Sequence, residues 1–499
     1  MFKNHPKGLA VLFFTEMWER FGFYTMLAIF VLYLGENFGW SEAKQGSVYG
    51  AFLAGVYFTP IFGGWIADNL LGYGRTIMVG AVTMAIGYAL MANPTQSEAY
   101  LYAALAVVAI GNGLFKANIS VLVGNLYSHA DGSLKDAAYN IFYMGINIGA
   151  FFAPLGAKEI KNFFINHFGF SLARGYNAGF ALAAVGMIFS LIIFLAFRKY
   201  YREADYQSRH HFKQDRDLVL SREQERERIL ALVTVFAIVI FFWMAFHQNG
   251  YTLTLFAKNY TVKMVDRFTF LLFDTISLLA LIGFVLSVVI LFKRGSSRRT
   301  NLLAAISAGI TAGIVLFKLS GFQDTNRIHP ESFQIFNPLF IVFLTPLIVG
   351  FFAWLNRRGK EPSSPGKIGL GMLITAVSFS IMVLASLRFA GFENDPPQAL
   401  LAAPYWLISS YFVITLGELF LSPIGLSFVS KVAPPRHRGL MMGGWFMATA
   451  IGNYLSGFIG RFYEKWYLWQ FFLLLVITSL IASGLVWLNL KRLKRATEM

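Results

Sequence analysis

The stretch FFTEMWERFGFYTM, Phe13–Met26, sits inside an apolar run from about Leu9 to Leu34. A run of that length spans a bilayer, which takes about 20 residues as a helix. Yet it carries Glu16, Glu19 and Arg20. On insertion scales each such group near the middle of a membrane helix costs roughly 2.5–3.5 kcal/mol. The spacing i, i+3, i+4 puts all three on one helix face, with Arg20 one turn from Glu16. One Arg offsets one Glu. The face therefore keeps a carboxylate in excess, which calls for a proton, another cation or a substrate amine.

The rest of the chain decides what surrounds that face. Of 499 residues, 56% are hydrophobic and only 14% charged. A soluble globular chain is about 25% charged, so the composition specifies an all-α polytopic membrane protein. Apolar segments of spanning length recur to the end. The pattern predicts helices at about 9–34, 44–68, 75–93, 97–120, 139–160 and 176–198. A polar, charged stretch follows and is expected to be a cytoplasmic link at 201–228. Further spans are predicted at about 229–258, 268–293, 299–320, 334–355, 367–390, 405–430, 440–461 and 466–490, about fourteen in all. The first run is too long for the core of a signal peptide and has no small-residue cleavage site, so it reads as a mature helix.

The net charge of +16 does not point to nucleic acid. Lys and Arg gather in short loops: KRGSSRR at 293–299, NRRGK at 356–360, PPRHR at 434–438, and the tail KRLKR at 491–495. With fourteen spans all of these fall on the side of the N-terminus. That places both termini in the cytoplasm and the chain in a cell membrane. There are no cysteines, which excludes disulfides and thiolate-bound metals. No HExxH and no GxxxxGK[ST] loop appears, so neither a zinc enzyme nor an ATP-driven pump is indicated.

Other polar groups interrupt apolar spans. Lys116 lies in GNGLFKANIS, His247 in FWMAFHQNG and Glu418 in LGELFLSP. Asn147, Gln334 and Asn337 add neutral polar groups, and Tyr24, Tyr57, Tyr143 and Trp243 are candidate pocket walls. Taken singly, each has a plain structural reading as a bridge, a snorkelling side chain or packing. Together they put charges of both signs in both halves of a chain with a central link. Transporters place substrate and coupling-ion sites between such halves, near the midplane. A carboxyl that gains and loses a cationic neighbour as the halves rock would take up and release a proton.

EMWERFGFYTM resembles the ExxERFxYYG signature of the proton-dependent oligopeptide transporters, a branch of the major facilitator superfamily. GGWIADNLLGYGRT (63–76), GNGLFKANISVLVGNLY (111–127), AYNIFYMGINIGAFFAP (138–154), FQIFNPLFIVFLTP (333–346) and LGELFLSPIGLS (416–427) continue the likeness. The resemblance implies two six-helix bundles around a central cavity and proton-coupled uptake of di- and tripeptides by alternating access. It implies no cofactor beyond the proton. It assigns proton coupling to Glu16, Glu19, Arg20, Lys116 and, with an altered group, His247. It assigns substrate binding to Tyr24, Tyr57, Lys116, Asn147, Trp243, Asn337 and Glu418.

Three departures stand out against that pattern. Many members carry an Arg where this chain has Leu27, so the guanidinium fork for a peptide carboxylate is absent. An acid common on helix 7 aligns with His247, or with Gln248 if the register slips by one. Two extra spans, within 263–322, follow helix 7 instead of preceding it, and are expected to lie outside the bundle. The division expected is thus 1–200, first bundle; 201–228, link; 229–262, first helix of the second bundle; 263–322, inserted hairpin; 323–499, remainder. The short loop at 391–403, where animal members carry a large domain, favours a bacterial inner-membrane protein; the chain is expected to work as a monomer. A same-fold carrier of another solute (nitrate, another anion, a peptide-like drug) is the alternative. A non-transporting receptor or scaffold is a more distant one.

Overall fold

The computed structural model describes residues 5–127, 132–205, 221–293, 297–391, 396–434 and 438–498. The middle of the charged link, 206–220, and residues 294–296 and 435–437 of two basic loops lie outside the described residues. Thirteen described helices are long and apolar enough to cross a membrane. They are α1 Lys7–Phe38, α2 Glu42–Leu71, α3 Tyr73–Ala92, α4 Glu98–Asn125, α5 Gly132–Phe168, α6 Leu172–Ala196, α7 Arg222–Asn259, α8 Thr275–Phe292, α9 Arg298–Gly321, α10 Phe336–Arg357, α11 Ser364–Ser386, α12 Pro404–Val432 and, skipping one, α14 Leu468–Leu488. The fourteenth, expected at 440–461, is present as α13, Arg438–Ile459. Its glycines and Asn453 make it less apolar than the others, and it is packed between α2 and α7.

Helices dominate because lipid leaves a backbone no other partner than itself. The ends are set by caps. Ser41, Ser97, Ser171, Ser221, Ser297 and Ser363 each accept a backbone N–H of the following turn. Ser221 and Gln224 form a reciprocal capping box, which starts α7 at Arg222, seven residues before the apolar run suggested. Two spans are broken inside. In α2, Pro60 interrupts the ladder and Thr59 Oγ1 takes up carbonyls of Gly55 (2.9 Å) and Ala109 (2.8 Å). In α7 a 3₁₀ turn at His247–Gly250 separates Arg222–Phe246 from Thr252–Asn259.

The chain has the major facilitator architecture. In the first bundle α1 packs on α5 and α6, and α3 on α4 and α6. In the second, α11 packs on α12 and α14, and α7 on α13 and α14. The bundles meet through α2 against α13 and α5 against α10. The inserted pair α8–α9 packs mainly on itself, and only 6% of the apolar stretch of α9 is buried, against 67% for α1. Its two ends are joined by an antiparallel pairing of Met264 with Arg327 and Val265 with Asn326, so the insertion leaves and re-enters at one point. Leu278 of α8 touches the bundles beside Phe151, Leu155 and Ile335.

Candidate functional site between the bundles

On α1 the three charged side chains are almost wholly buried, Glu16 at 2%, Glu19 at 0% and Arg20 at 2% exposure. Arg20 grips Glu19 with two hydrogen bonds, from Nε to Oε2 and from Nη2 to Oε1 (2.7 Å). Its Nε also lies 3.2 Å from Glu16 Oε1. Asn112 of α4 adds a bond to Glu19 Oε1 at 3.4 Å. Glu16 Oε2 has no hydrogen-bond partner. The two carboxylates are therefore unequal: Glu19 is fully engaged and Glu16 is held by one oxygen.

Lys116 lies within electrostatic reach of both carboxylates but forms no ion pair with either among the described residues. Its Nζ sits 3.9 Å above the Tyr57 ring instead, a cation–π contact. Tyr57 also meets His247 of the second bundle edge to face, with ring centroids 6.2 Å apart. Trp243, one turn earlier on α7, lies nearly parallel to His247 at 5.6 Å. His247 and Gln248 face different neighbours. Gln248 turns away into the packing of α7 on α13, donating to Ser456 Oγ (3.1 Å) and O (3.2 Å), and its Oε1 accepts from Thr252 (2.8 Å). His247 is the side chain that faces Tyr57.

Across the cavity, Glu418 of α12 is 7% exposed and accepts a bond from Asn337 Nδ2 of α10 at 3.0 Å. Asn337 also donates to Thr415 Oγ1 at 3.0 Å. Glu418 is within electrostatic reach of Tyr24 and Tyr143 of the first bundle. Tyr24 is in turn within reach of Tyr57, Arg20 and Glu19. Asn147 is buried on α5 and donates to the Tyr143 carbonyl at 2.9 Å. The predicted residues are thus linked to one another by these contacts between the bundles, with an acid on the second bundle and, on the first, a lysine that has no ion pair among the described residues. Among the described residues no group of three or more His, Asp or Glu is placed to hold a metal ion.

Gln334 donates to the Ala28 carbonyl (3.3 Å) and Thr254 Oγ1 (3.0 Å), tying α1 to the second bundle. It belongs to a seal at the end of the molecule away from the termini. There Tyr251 donates to the Glu42 carbonyl (2.5 Å), Asn259 to Glu42 Oε1 (2.7 Å) and Arg461 to Ser47 Oγ (3.1 Å). A Cβ on Gly457 would meet the Gly46 carbonyl oxygen at 2.1 Å, so α2 and α13 touch backbone to backbone. A buried ion pair, Lys161 with Glu331, joins α5 to the turn before α10. Sequence reading missed this pair. The run Lys158-Glu159-Ile160-Lys161 resembles a helix end, and the span was expected to stop at 160, whereas α5 runs on to Phe168.

A family model matches residues 74–221 and 315–470, that of the POT family. The chain belongs to the POT family. Dipeptide and tripeptide permease A of Salmonella typhimurium is 30% identical over 92% of this chain and 84% of its own. An uncharacterized transporter of Bacillus subtilis, YclF, is 28% identical over 100% of this chain and 96% of its own. Among solved structures, a variant of the peptide transporter POT in complex with alafosfalin has a TM-score of 0.75 at 26% identity, covering 100% of this chain and 97% of that one. This POT family member is a transporter and not an enzyme.

The departures from the POT family pattern now have positions. Leu27 is 6% exposed. It lies two turns beyond Arg20 and one beyond Tyr24, on the charged face of α1. Its side chain packs in the hydrophobic core and supplies no hydrogen-bond donor.

Proposed function

We propose that this chain is a proton-coupled symporter that imports di- and tripeptides by alternating access. One observation carries the reading: an unpaired lysine on one bundle and a carboxylate on the other flank the same cavity, beside a buried carboxylate excess on α1. A zwitterionic peptide presents an ammonium for Glu418 and Asn147 and a carboxylate for Lys116, and it can be bound well only when the bundles close on it. Tyr24, Tyr57, Trp243 and Asn337 wall the space. Glu16, Glu19 and Arg20, with Lys116 and His247 near them, carry the proton. The likeness to a dipeptide and tripeptide permease supports the same substrate class.

The chain then lies in the cell inner membrane as a monomer with both termini in the cytoplasm. The seal of Glu42, Tyr251 and Lys161–Glu331 faces outward, and the conformation is open to the cell. Residues 1–200 form one rocking body. Residues 229–262 with 323–499 form the other, 201–228 link the two, and 263–322 ride outside. Energetics fit: one charge crossing about 100 mV yields roughly 2.3 kcal/mol, enough for about fortyfold accumulation of a neutral solute.

The test is uptake of labelled dialanine into proteoliposomes with and without an inward proton gradient. Accumulation that collapses with a protonophore is expected. Folded protein that takes up no dialanine under either condition would sink the peptide reading. Glu418→Gln keeps the Asn337 contact but loses the charge. It is expected to weaken dialanine binding roughly 10- to 100-fold, the scale of one charged hydrogen bond.

A further inference from the structure

We propose that His247, with Trp243 beside it, forms together with Lys116 a cradle for the peptide's terminal carboxylate, so that α7 supplies the donors that Leu27 does not. This rests on the peptide reading above and names a carboxylate-recognising residue that the reading leaves as a proton carrier.

The argument is one of unmatched donors. Lys116 Nζ touches the face of Tyr57 at 3.9 Å and, among the described residues, pairs with no carboxylate. His247 Nε2 and Trp243 Nε1 are both buried with no hydrogen-bond partner. The His247 ring lies nearly parallel to Trp243 at 5.6 Å, against Tyr57 at 6.2 Å, and within electrostatic reach of Lys116. An ammonium and an indole N–H can only donate. An imidazole offers an N–H in either protonation state, and its neighbours choose the nitrogen that carries it. Leaving buried donors unmatched is costly, so the group that fits here is an acceptor. An anion also gains from Lys116, and a cation would be repelled by it. The stack on Trp243 and the contact with Tyr57 fix the imidazole plane, which presets the direction of its N–H. The opposite end of the cavity already holds the acceptor, Glu418, so the two subsites order the peptide amino end to α12 and carboxyl end to α4 and α7.

The test compares binding of dialanine with binding of alanyl-alaninamide, which lacks the carboxylate, to purified full-length protein. Wild type, His247→Phe and His247→Gln are measured, each first shown to be monodisperse by size exclusion. Wild type is expected to prefer dialanine by about tenfold or more. His247→Phe, which keeps an aromatic ring in the stack, is expected to bring the two ligands within about threefold by weakening dialanine alone. His247→Gln, which returns a donor, is expected to recover most of the preference. If His247→Phe is not monodisperse, His247→Leu takes its place in the comparison. A donor-less variant, His247→Phe or His247→Leu, that keeps the wild-type preference or loses affinity for both ligands equally overturns the cradle and leaves peptide transport standing. Wild type that binds neither compound removes the peptide reading, and the cradle with it.

Discussion

Arg20 is shared by two carboxylates of unequal standing, and this decides how each will respond to neutralisation. Glu19 takes two hydrogen bonds from the guanidinium and one from Asn112, while Glu16 keeps one oxygen without a partner. Glu16→Gln therefore removes a charge while leaving the Arg20–Glu19 pair whole. Proton-driven accumulation of dialanine is expected to be lost, with counterflow near wild type. Full accumulation by the variant would sink the coupling role. Glu19→Ala takes both hydrogen bonds from the buried guanidinium and leaves it only the single Glu16 contact at 3.2 Å, a loss of buried charged hydrogen bonds on the scale of about 1.5–3 kcal/mol each. That variant is expected to lower the thermal midpoint as well as coupling. The charges and their shared face were legible at once, because i, i+3, i+4 spacing inside an apolar run has one helical meaning. The Lys116 contact was not. Spacing places a residue on a face, but whether its ammonium meets a carboxylate or the Tyr57 ring depends on how α2 and α4 cross.

At the scale of the element, the hairpin shows what holds an insertion that the bundle does not bury. Asp274 caps α8, accepting from Ser277 N (2.9 Å) and Oγ (2.8 Å), and pairs with Lys318 of α9 at 3.1 Å. Its half-burial would raise the carboxyl, but the bonds from Ser277 and Lys318 outweigh it and hold it below the ordinary carboxylate range. A depressed carboxyl contributes stability that is present above the ordinary value, near 4, and lost as pH falls through the lower folded value. Asp274→Ala is expected to loosen the hairpin by about 1 kcal/mol, the usual worth of a cap. Amide exchange should rise across 267–278 while α1 is unchanged; an unaltered exchange rate would refute the anchor. Helix number was legible because hydropathy counts spans. Helix ends were less so. The capping box begins α7 in charged sequence, and charges that looked like the end of α5 are buried in its last turns. Asn249-Gly250 gives a turn signal inside a span, yet which neighbour faces the cavity, His247 or Gln248, came only from the packing of α13.

At the scale of the molecule, hydrogen bonds and ion pairs between the halves gather at the end away from the termini, so that end is shut. The Lys161–Glu331 pair is the buried charged member of this seal. Lys161→Met leaves Glu331 buried without its cation. The cost, about 3–5 kcal/mol, falls only on the sealed state, because the separated state returns Glu331 to water. A shift of that size carries a population ratio of about 100:1 to parity or past it, full inversion taking about 5.5 kcal/mol. Because the native chain has no cysteine, spin labels at Gln96→Cys and Lys465→Cys report the seal directly. Lys161→Met is expected to move most of the population to longer distances, and an unchanged distribution would show the pair to be ornamental. His329, just before this turn, gives the seal a dependence on acid. Burial lowers its imidazole to about 4; Glu331 opposes that shift, while Lys161, Lys158 and Arg327 add to it. In the separated state the ring regains water and a value near 6.5. Between pH 6.5 and 4 the open form therefore binds more protons than the sealed form, and acidification favours opening. The same label pair should show the longer distance growing from pH 7 to pH 5. His329→Gln, which can still accept from Asn162, should flatten that growth; a slope equal to wild type would place the acid response in the carboxylates of α1 instead.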